Sequence, residues 1–166
     1  MAVRVAFNPN YRRIAQNDDW SCAPTSLRWA LEALGCDAPE DWMENSVISE
    51  QVVSRELGLL NATGAGLAHF VRRHFGALGF DANNEASISF TGAALEGDHA
   101  YPILIGGRAW NHWTAVRGYD AANDLLVLAN PGDGWRGVRQ TMSRAQFDQL
   151  GPFSMVRVFH PDVVPH

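Results

Sequence analysis

The chain has 166 residues, of which 46% are hydrophobic, and this is enough to bury the core of one compact domain. Its net charge of −5 comes without any cluster of basic residues, which argues against a nucleic-acid partner. No apolar run approaches the ~20 residues of a membrane-spanning helix, and all thirteen basic residues are arginines, so no lysine is available for Schiff-base chemistry.

The first predicted element is an amphipathic helix over residues 24–34. Its apolar stripe has the spacing i, i+3, i+4, i+7 and consists of Leu27, Ala30, Leu31 and Leu34. Pro24 is tolerated in a first helical turn, and Gly35 follows the last apolar position as a stop signal. Cys22 therefore lies at the helix N-terminus, where unpaired N–H groups favour a negative charge.

Two further helices and a central strand are predicted next. Residues 49–57 are weakly helical, and Thr63 can cap a helix that ends at Gly76. The nearly continuous apolar run over residues 101–106 is typical of a strand in the middle of a sheet.

The remaining pattern predicts more strands and one short helix. The strands cover residues 113–119, 125–129, 138–142 and 154–159, and the helix covers residues 143–150. Turn-forming residues at 120–124 join the first two strands into a hairpin. Together these elements predict an α+β fold, in which a helical layer bearing Cys22 packs on an antiparallel β-sheet and a cleft separates the two.

Cys22 is the candidate nucleophile. A free thiol ionises near pH ~8.5, and a helix N-terminus with a nearby imidazolium lowers that pKa to about 3.5–7.5. We expect a partly exposed thiol at the helix start, with a buried structural cysteine as the alternative. A disulfide to Cys36 is not expected, because about ten helical residues separate the two by roughly 15 Å, and a disulfide tolerates only about 7 Å.

His112 is the candidate base, and Asn130 is the candidate group that orients it. A hairpin centred on Ala121 places the two residues nine positions on either side of its centre, so we expect them to face each other across the strand pair. An Asn carbonyl oxygen can accept the imidazole N–H and hold the ring in the tautomer that addresses Cys22. Asp133, in the loop just beyond, is the alternative third residue.

Gln16 stands six residues before Cys22 and is the candidate oxyanion donor. Its amide can donate to the oxyanion of a tetrahedral intermediate, beside the backbone N–H of the nucleophile. Because the surrounding segment is polar, a solvent-exposed glutamine is the alternative. The sequence has neither a CxxC pair nor an HExxH helix, and the expected chemistry requires no metal and no cofactor.

These motifs resemble those of the papain-like cysteine peptidases: Gln-x5-Cys at a helix start, a distant His-Trp, and Asn-Pro at a strand end. The resemblance is closer to the compact bacterial branch typified by the double-glycine leader peptidases, which process bacteriocin precursors. It spans roughly residues 14–158. It implies a papain-like fold with an oxyanion donor, a nucleophile, a base and a third residue at Gln16, Cys22, His112 and Asn130. Many relatives have Asp in the third position.

The combined features predict a cysteine endopeptidase that cleaves peptide bonds through a thioester acyl-enzyme. The main hypothesis for its substrate is the stem-peptide cross-links of bacterial peptidoglycan, with the chain as the N-terminal peptidase module of a phage lysin. The first alternative is a cytoplasmic protease that processes a leader peptide. Two others are an acyl transferase that uses the same residues and a non-catalytic peptide-binding module that keeps the fold.

The predicted domain organisation is simple. Residues 1–160 form a single peptidase domain, and residues 161–166 form a tail or the start of an interdomain linker, so further domains could follow in a longer chain. The first residues lack the apolar core and cleavage site of a signal peptide. We therefore expect synthesis in the cytoplasm and, for a lysin, release to the cell wall through a separate pore.

Overall fold

The computed structural model describes residues 7–16, 21–36, 50–58, 62–85, 88–97, 101–107, 111–132 and 139–163. The helices in these ranges are α1 (Cys22–Ala33), α2 (Glu50–Leu57), α3 (Gly64–Phe75), α4 (Phe90–Gly97) and α5 (Arg144–Leu150). The strands are β1 (Asp81–Glu85), β2 (Ile103–Gly107), β3 (His112–Asp120), β4 (Leu125–Ala129), β5 (Thr141–Ser143) and β6 (Pro152–Phe159).

The strands form one antiparallel sheet in the order β1-β6-β2-β3-β4-β5, which places the apolar strand β2 in its interior. Side chains of β2 alternate between two cores. Leu104 packs with residues of α1 and α3, whereas Ile103 and Ile105 pack with residues of α4 and α5. Both faces of the sheet are therefore covered, which explains why β2 is apolar at consecutive positions.

The predicted helical layer on an antiparallel sheet is confirmed, and a second helical layer covers the opposite face. The sequence did not indicate β1 or α4. The β1 sequence is Asp-Ala-Asn-Asn-Glu, which has low strand propensity. It forms a strand because it pairs with β6 along its whole length at the edge of the sheet, so tertiary pairing overrides local propensity here.

Helix α1 begins at Cys22, two residues before the predicted start. The four residues of its predicted apolar stripe are at most 1% exposed. Gly35 adopts a φ of +80°, the left-handed conformation that favours glycine after a helix. Cys36 is buried, its N–H donates to the carbonyl of Leu31 at 3.0 Å, and no disulfide joins it to Cys22.

The predicted helix signals after α1 are also observed. Helix α2 coincides with the weakly helical residues 49–57 as far as they are described. The Thr63 hydroxyl accepts the N–H of Gly66 at 3.0 Å, and α3 ends where Gly76 follows it. Helix α5 begins with a capping box in which Ser143 and Gln146 each accept the other's backbone N–H.

The β3–β4 hairpin has a different register from the one predicted. Ala115 pairs with Ala129, and Asp120 pairs with Leu125. The turn therefore consists of the four residues between the last pair, and the hairpin centre lies beyond Ala121. The pairing also shifts at a bulge between these two pairs, which the alternation of apolar residues does not reveal.

Residues 7–16, the N-terminal segment, have no regular secondary structure but are fixed to α1. The Tyr11 hydroxyl donates to Glu32 Oε1 at 2.9 Å, and the indole N–H of Trp29 donates to the Tyr11 carbonyl at 3.2 Å. Glu32 also accepts Arg28 Nε at 2.6 Å. Residues in the C-terminal half of α1 thus bind the part of the N-terminal segment that contains Tyr11.

The C-terminal residues are described as far as Val163. This side chain is 4% exposed in the core, and its carbonyl accepts the hydroxyl of Tyr101 at 3.3 Å. The domain boundary at residue 160 and the linker interpretation of 161–166 stay predictions. None of the helices in the part of the chain that the structure describes is both long and apolar enough to cross a membrane.

Candidate active site

Cys22 is the first residue of α1, preceded by Ser21 at the N-cap position. The Cys22 side chain is only 1% exposed and belongs to the same core cluster as Ala23 and Leu27. The expectation of a partly exposed thiol is therefore wrong. The reason is that α1 packs on the sheet from its first turn, so the start of the helix is covered as well.

One hydrogen bond shows which face of α1 meets the sheet. Ser26 Oγ donates to the carbonyl of Trp113 on β3 at 3.3 Å. Residues four apart lie on the same face of a helix, so Cys22 lies one turn before Ser26 on the face that is turned towards β3. His112 is the neighbour of Trp113 and the first residue of that strand. The candidate nucleophile and the candidate base thus lie where helix and strand begin.

Trp113 anchors this end of β3. Its indole N–H donates to the carbonyl of Ala62 at 2.9 Å. Its ring packs directly on Gly106 of β2, where a Cβ atom would lie 2.7 Å from the ring. Only glycine allows this close approach, so β2 contributes to the position of the strand that carries His112.

His112 and Asn130 are in direct contact. His112 Nε2 lies 2.8 Å from Asn130 Oδ1, and the two residues are 3% and 0% exposed. The predicted direct pairing across the hairpin is wrong, however. Continuing the register of the Ala115–Ala129 pair to the start of β3 places Gly132 opposite His112. Asn130 is then the diagonal neighbour of His112, and a diagonal neighbour is still within reach of a histidine side chain.

The hydrogen bonds of Asn130 define the tautomer of His112. Asn130 Oδ1 also accepts the N–H of Gly132 at 2.9 Å, and Asn130 Nδ2 donates to the carbonyl of Arg139 at 2.9 Å. These two backbone partners assign the amide orientation, with its oxygen towards the imidazole. An oxygen acceptor requires His112 to carry its proton on Nε2, so Nδ1 is the nitrogen that can accept a proton.

Two neighbours support the pair. The side-chain amide of Gln140 hydrogen-bonds both backbone polar groups of Asn130. Gln140 Oε1 accepts the Asn130 N–H at 3.2 Å, and Gln140 Nε2 donates to the Asn130 carbonyl at 3.4 Å. Gly132 packs over the side-chain contact, since a Cβ there would lie 3.2 Å from Asn130 Oδ1 and 3.4 Å from His112 Nε2. No sequence motif marks Gln140 as part of the site.

Gln16 is 5% exposed, so the alternative of a solvent-exposed glutamine is wrong. Its backbone N–H donates to the carbonyl of Pro131 at 2.8 Å, which places Gln16 beside the turn that follows Asn130. Its role as an oxyanion donor stays a prediction. Asp133, the alternative third residue, lies outside the described residues.

The candidate site comprises a thiol at the start of α1, an imidazole at the start of β3 and the amides of Gln16 and Asn130. They can supply a nucleophile, a proton acceptor and hydrogen-bond donors, which are the requirements of acyl transfer. Among the described residues, no group of three or more His, Cys, Asp or Glu side chains is arranged to hold a metal ion.

The sequence matches no protein-family model and no curated protein. Several solved structures share its fold. A double glycine motif protease from an AMS/PCAT transporter, solved with the leader peptide, matches with a TM-score of 0.63 and 16% identity over 96% of this chain and 99% of that one. The peptidase domain of Streptococcus ComA, a bifunctional ABC transporter of a quorum-sensing pathway, matches with a TM-score of 0.62 and 19% identity over 91% of this chain and 99% of that one.

The peptidase domain of Streptococcus mutans ComA also matches, with a TM-score of 0.51 and 19% identity over 89% of this chain and 98% of that one. At these identities the likeness establishes the fold. The chain has the papain-like α+β fold of double-glycine peptidase domains, as the resemblance of its motifs implied.

Proposed function

We propose that this protein is a cysteine endopeptidase in which Cys22 is the nucleophile and His112 the base. The observation that carries the proposal is the bond from His112 Nε2 to Asn130 Oδ1, because it directs the proton-accepting nitrogen Nδ1 away from Asn130. The position of Cys22 at the N-terminus of α1 supports it further, since that position stabilises a thiolate.

The proposed reaction has two halves. His112 Nδ1 takes the Cys22 proton, and the sulfur attacks the peptide carbonyl carbon to form a tetrahedral oxyanion. The Gln16 amide and the backbone N–H of Cys22 donate to that oxyanion. The C–N bond then breaks, the amine leaves with the proton from His112, and a thioester remains. Water, deprotonated by His112, attacks the thioester and releases the acid and the thiol.

For the substrate, we favour a leader peptide over a cell-wall cross-link. The solved relatives include a double glycine motif protease bound to its leader peptide, and the shared fold covers almost the whole of both chains. The solved structures named above are a transporter's double glycine motif protease and ComA peptidase domains, and they favour the leader-peptide hypothesis over the peptidoglycan hypothesis. The proposed substrate is accordingly a peptide with a pair of small residues, such as Gly-Gly, before the cleaved bond.

The test is a cleavage assay with two substrate classes. One class is leader-type peptides carrying Gly-Gly before the scissile bond, with matched peptides carrying Val-Val as the control. The other is purified peptidoglycan. Each is incubated with wild-type protein and with Cys22→Ala, and the products are identified by mass spectrometry. We expect cleavage after Gly-Gly by the wild type only.

The other hypotheses give different products in the same assay. Release of peptidoglycan stem peptides without leader cleavage would support the lysin hypothesis. Formation of amides when a competing amine is added would indicate an acyl transferase. Binding of the peptides without cleavage would indicate a non-catalytic module. Cleavage that persists in Cys22→Ala would eliminate the thiol mechanism.

A further inference from the structure

Three consecutive carbonyl groups, those of Asn130, Pro131 and Gly132, accept hydrogen bonds from the N-terminal segment. Arg13 Nε donates to the Asn130 carbonyl at 2.5 Å, and Arg13 Nη2 donates to the Gly132 carbonyl. Gln16 N–H donates to the Pro131 carbonyl between them. Each of residues 130–132, the described residues that follow β4, is therefore bound through its carbonyl group by residues 13–16.

Arginine is suited to this arrangement. The guanidinium is planar and presents its N–H groups in a fixed fork, so one side chain can hold two carbonyl oxygens at a set separation. A lysine ammonium carries similar charge but has no such fork. The neighbouring Arg12 has a different environment, with its guanidinium carbon 6.0 Å from the centre of the Tyr11 ring.

The N-terminal segment is fixed at both ends. One end is bound to α1, the helix of the candidate nucleophile, through the contacts of Tyr11 with Glu32 and Trp29. The other end is bound through Arg13 to the turn that carries the candidate orienter of the base. The segment thus links the helical part and the sheet part of the site through hydrogen bonds on both sides.

We infer that Arg13 is a positioning residue that holds Asn130 against His112. The inference rests on the proposed function for its catalytic consequence. Arg13 holds the carbonyl groups of Asn130 and Gly132. The side chain of Asn130 accepts the imidazole N–H of His112, and Gly132 covers that hydrogen bond. Without the guanidinium, the turn gains freedom, Asn130 Oδ1 moves relative to His112 Nε2, and water reaches the bond that Gly132 now covers.

The inference predicts a change in chemistry rather than in substrate binding. A small misplacement of a catalytic group lowers the rate by up to about 10²-fold, so Arg13→Met should lower kcat by about 10- to 100-fold while KM changes little. Arg13→Lys should behave more like Arg13→Met than like the wild type, because it keeps the charge but loses the fork. Arg12→Met is the matched control and should retain wild-type kcat.

The decisive measurement does not require activity. The ring N–H of His112 is followed by NMR in ¹⁵N-histidine-labelled protein, and its exchange with solvent is measured for the wild type and the three variants, with circular dichroism to compare their folds. Exchange of the Nε2 proton should be at least about tenfold faster in Arg13→Met and Arg13→Lys. In Arg12→Met it should match the wild type.

The two proposals fail separately. Equal exchange rates in all four proteins, or equal effects of the Arg12 and Arg13 substitutions, would overturn the positioning role while leaving the peptidase proposal intact. Absence of peptidase activity from the wild type would refute the peptidase, while the exchange rates would still decide whether Arg13 positions the pair. If Arg13→Met fails to fold, Arg13→Lys decides the question by the same measurement.

Discussion

The backbone N–H of Gln16 donates to the carbonyl of Pro131 at 2.8 Å. This bond places the predicted oxyanion donor beside the turn that begins with Asn130, although the two are far apart in the chain. Because it uses the backbone, it persists when the side chain of Gln16 is changed. Substitutions at this position therefore test the amide side chain alone.

Gln16→Ala should lower kcat by about 10²–10³, the usual effect of losing one oxyanion donor. KM should change little, because the amide is expected to act mainly in the transition state. Gln16→Glu is the matched control: it keeps the shape but replaces the donor with a carboxylate, so it should be at least as impaired as Gln16→Ala. Steady-state kinetics measure both. A rise in KM with unchanged kcat would show that Gln16 instead binds substrate in the ground state.

Loss of His112 should be more damaging than loss of Asn130. His112→Ala removes the proton acceptor and should leave almost no activity, whereas Asn130→Ala removes only the group that orients it and should leave measurable turnover. Asn130→Ala should also lower the free energy of unfolding by about 1–3 kcal/mol, because the Gly132 N–H and the Arg139 carbonyl lose their buried partner. Activity and denaturant unfolding are measured together. Equal activity in both variants would contradict the assignment.

Asn130→Asp should remain active but be less stable than the wild type. A carboxylate also accepts the Nε2 proton and favours the imidazolium form of His112. It cannot donate to the carbonyl of Arg139, which Asn130 Nδ2 now contacts at 2.9 Å, so two oxygens would face each other. Thermal unfolding and kcat give the two effects. Asp133→Asn is the control, and if it lowers kcat more than Asn130→Ala does, Asp133 is the third residue.

Much of this site could be predicted because its parts are local. A helix start, a capping threonine and a central apolar strand each leave a short-range pattern, so Cys22, α3 and β2 were placed from the sequence. The contact between His112 and Asn130 was predicted from an incorrect register. The predicted contact is nevertheless observed, because the side chains of diagonal neighbours on one face of a strand pair can also reach each other.

The rest depends on contacts between distant residues. Arg13 and Gln140 support the Asn130 turn through its backbone, and backbone carbonyls are available at every residue, so no sequence pattern marks their partners. The burial of Cys22 could not be anticipated either, since helix periodicity does not reveal what covers the first turn. Strand β1 has few residues typical of strands and is defined by its partner β6.

A pH-dependent prediction concerns Tyr11, which fixes the N-terminal segment to α1. Burial, and after it the hydrogen bond to Glu32, raises the pKa of Tyr11 above its ordinary value. The protonated hydroxyl is thus favoured in the folded state. Its stabilising contribution is fully present below the pKa of an unfolded tyrosine, near ~10, and is lost as the pH rises through the higher folded pKa.

The free energy of unfolding of the wild type should therefore fall more steeply above pH ~10 than that of Tyr11→Phe. Urea unfolding at a series of alkaline pH values measures the two slopes. Tyr101→Phe is the matched control, because it removes a hydroxyl that donates to the neutral carbonyl of Val163 instead of a carboxylate. Parallel curves for the wild type and Tyr11→Phe would contradict the assignment.

The central claim is that Cys22 and His112 act as a thiolate–imidazolium pair, and the rate of Cys22 alkylation as a function of pH tests it most directly. The measurement uses Cys36→Ser, in which Cys22 is the single remaining thiol, with and without His112→Ala. The shapes of the two rate–pH profiles are compared, because burial of the thiol affects alkylation equally in both proteins. We predict that alkylation persists well below the ~8.5 at which an ordinary thiol ionises, and that His112→Ala shifts the profile to higher pH. One shared profile that rises only near that ordinary value would contradict the account.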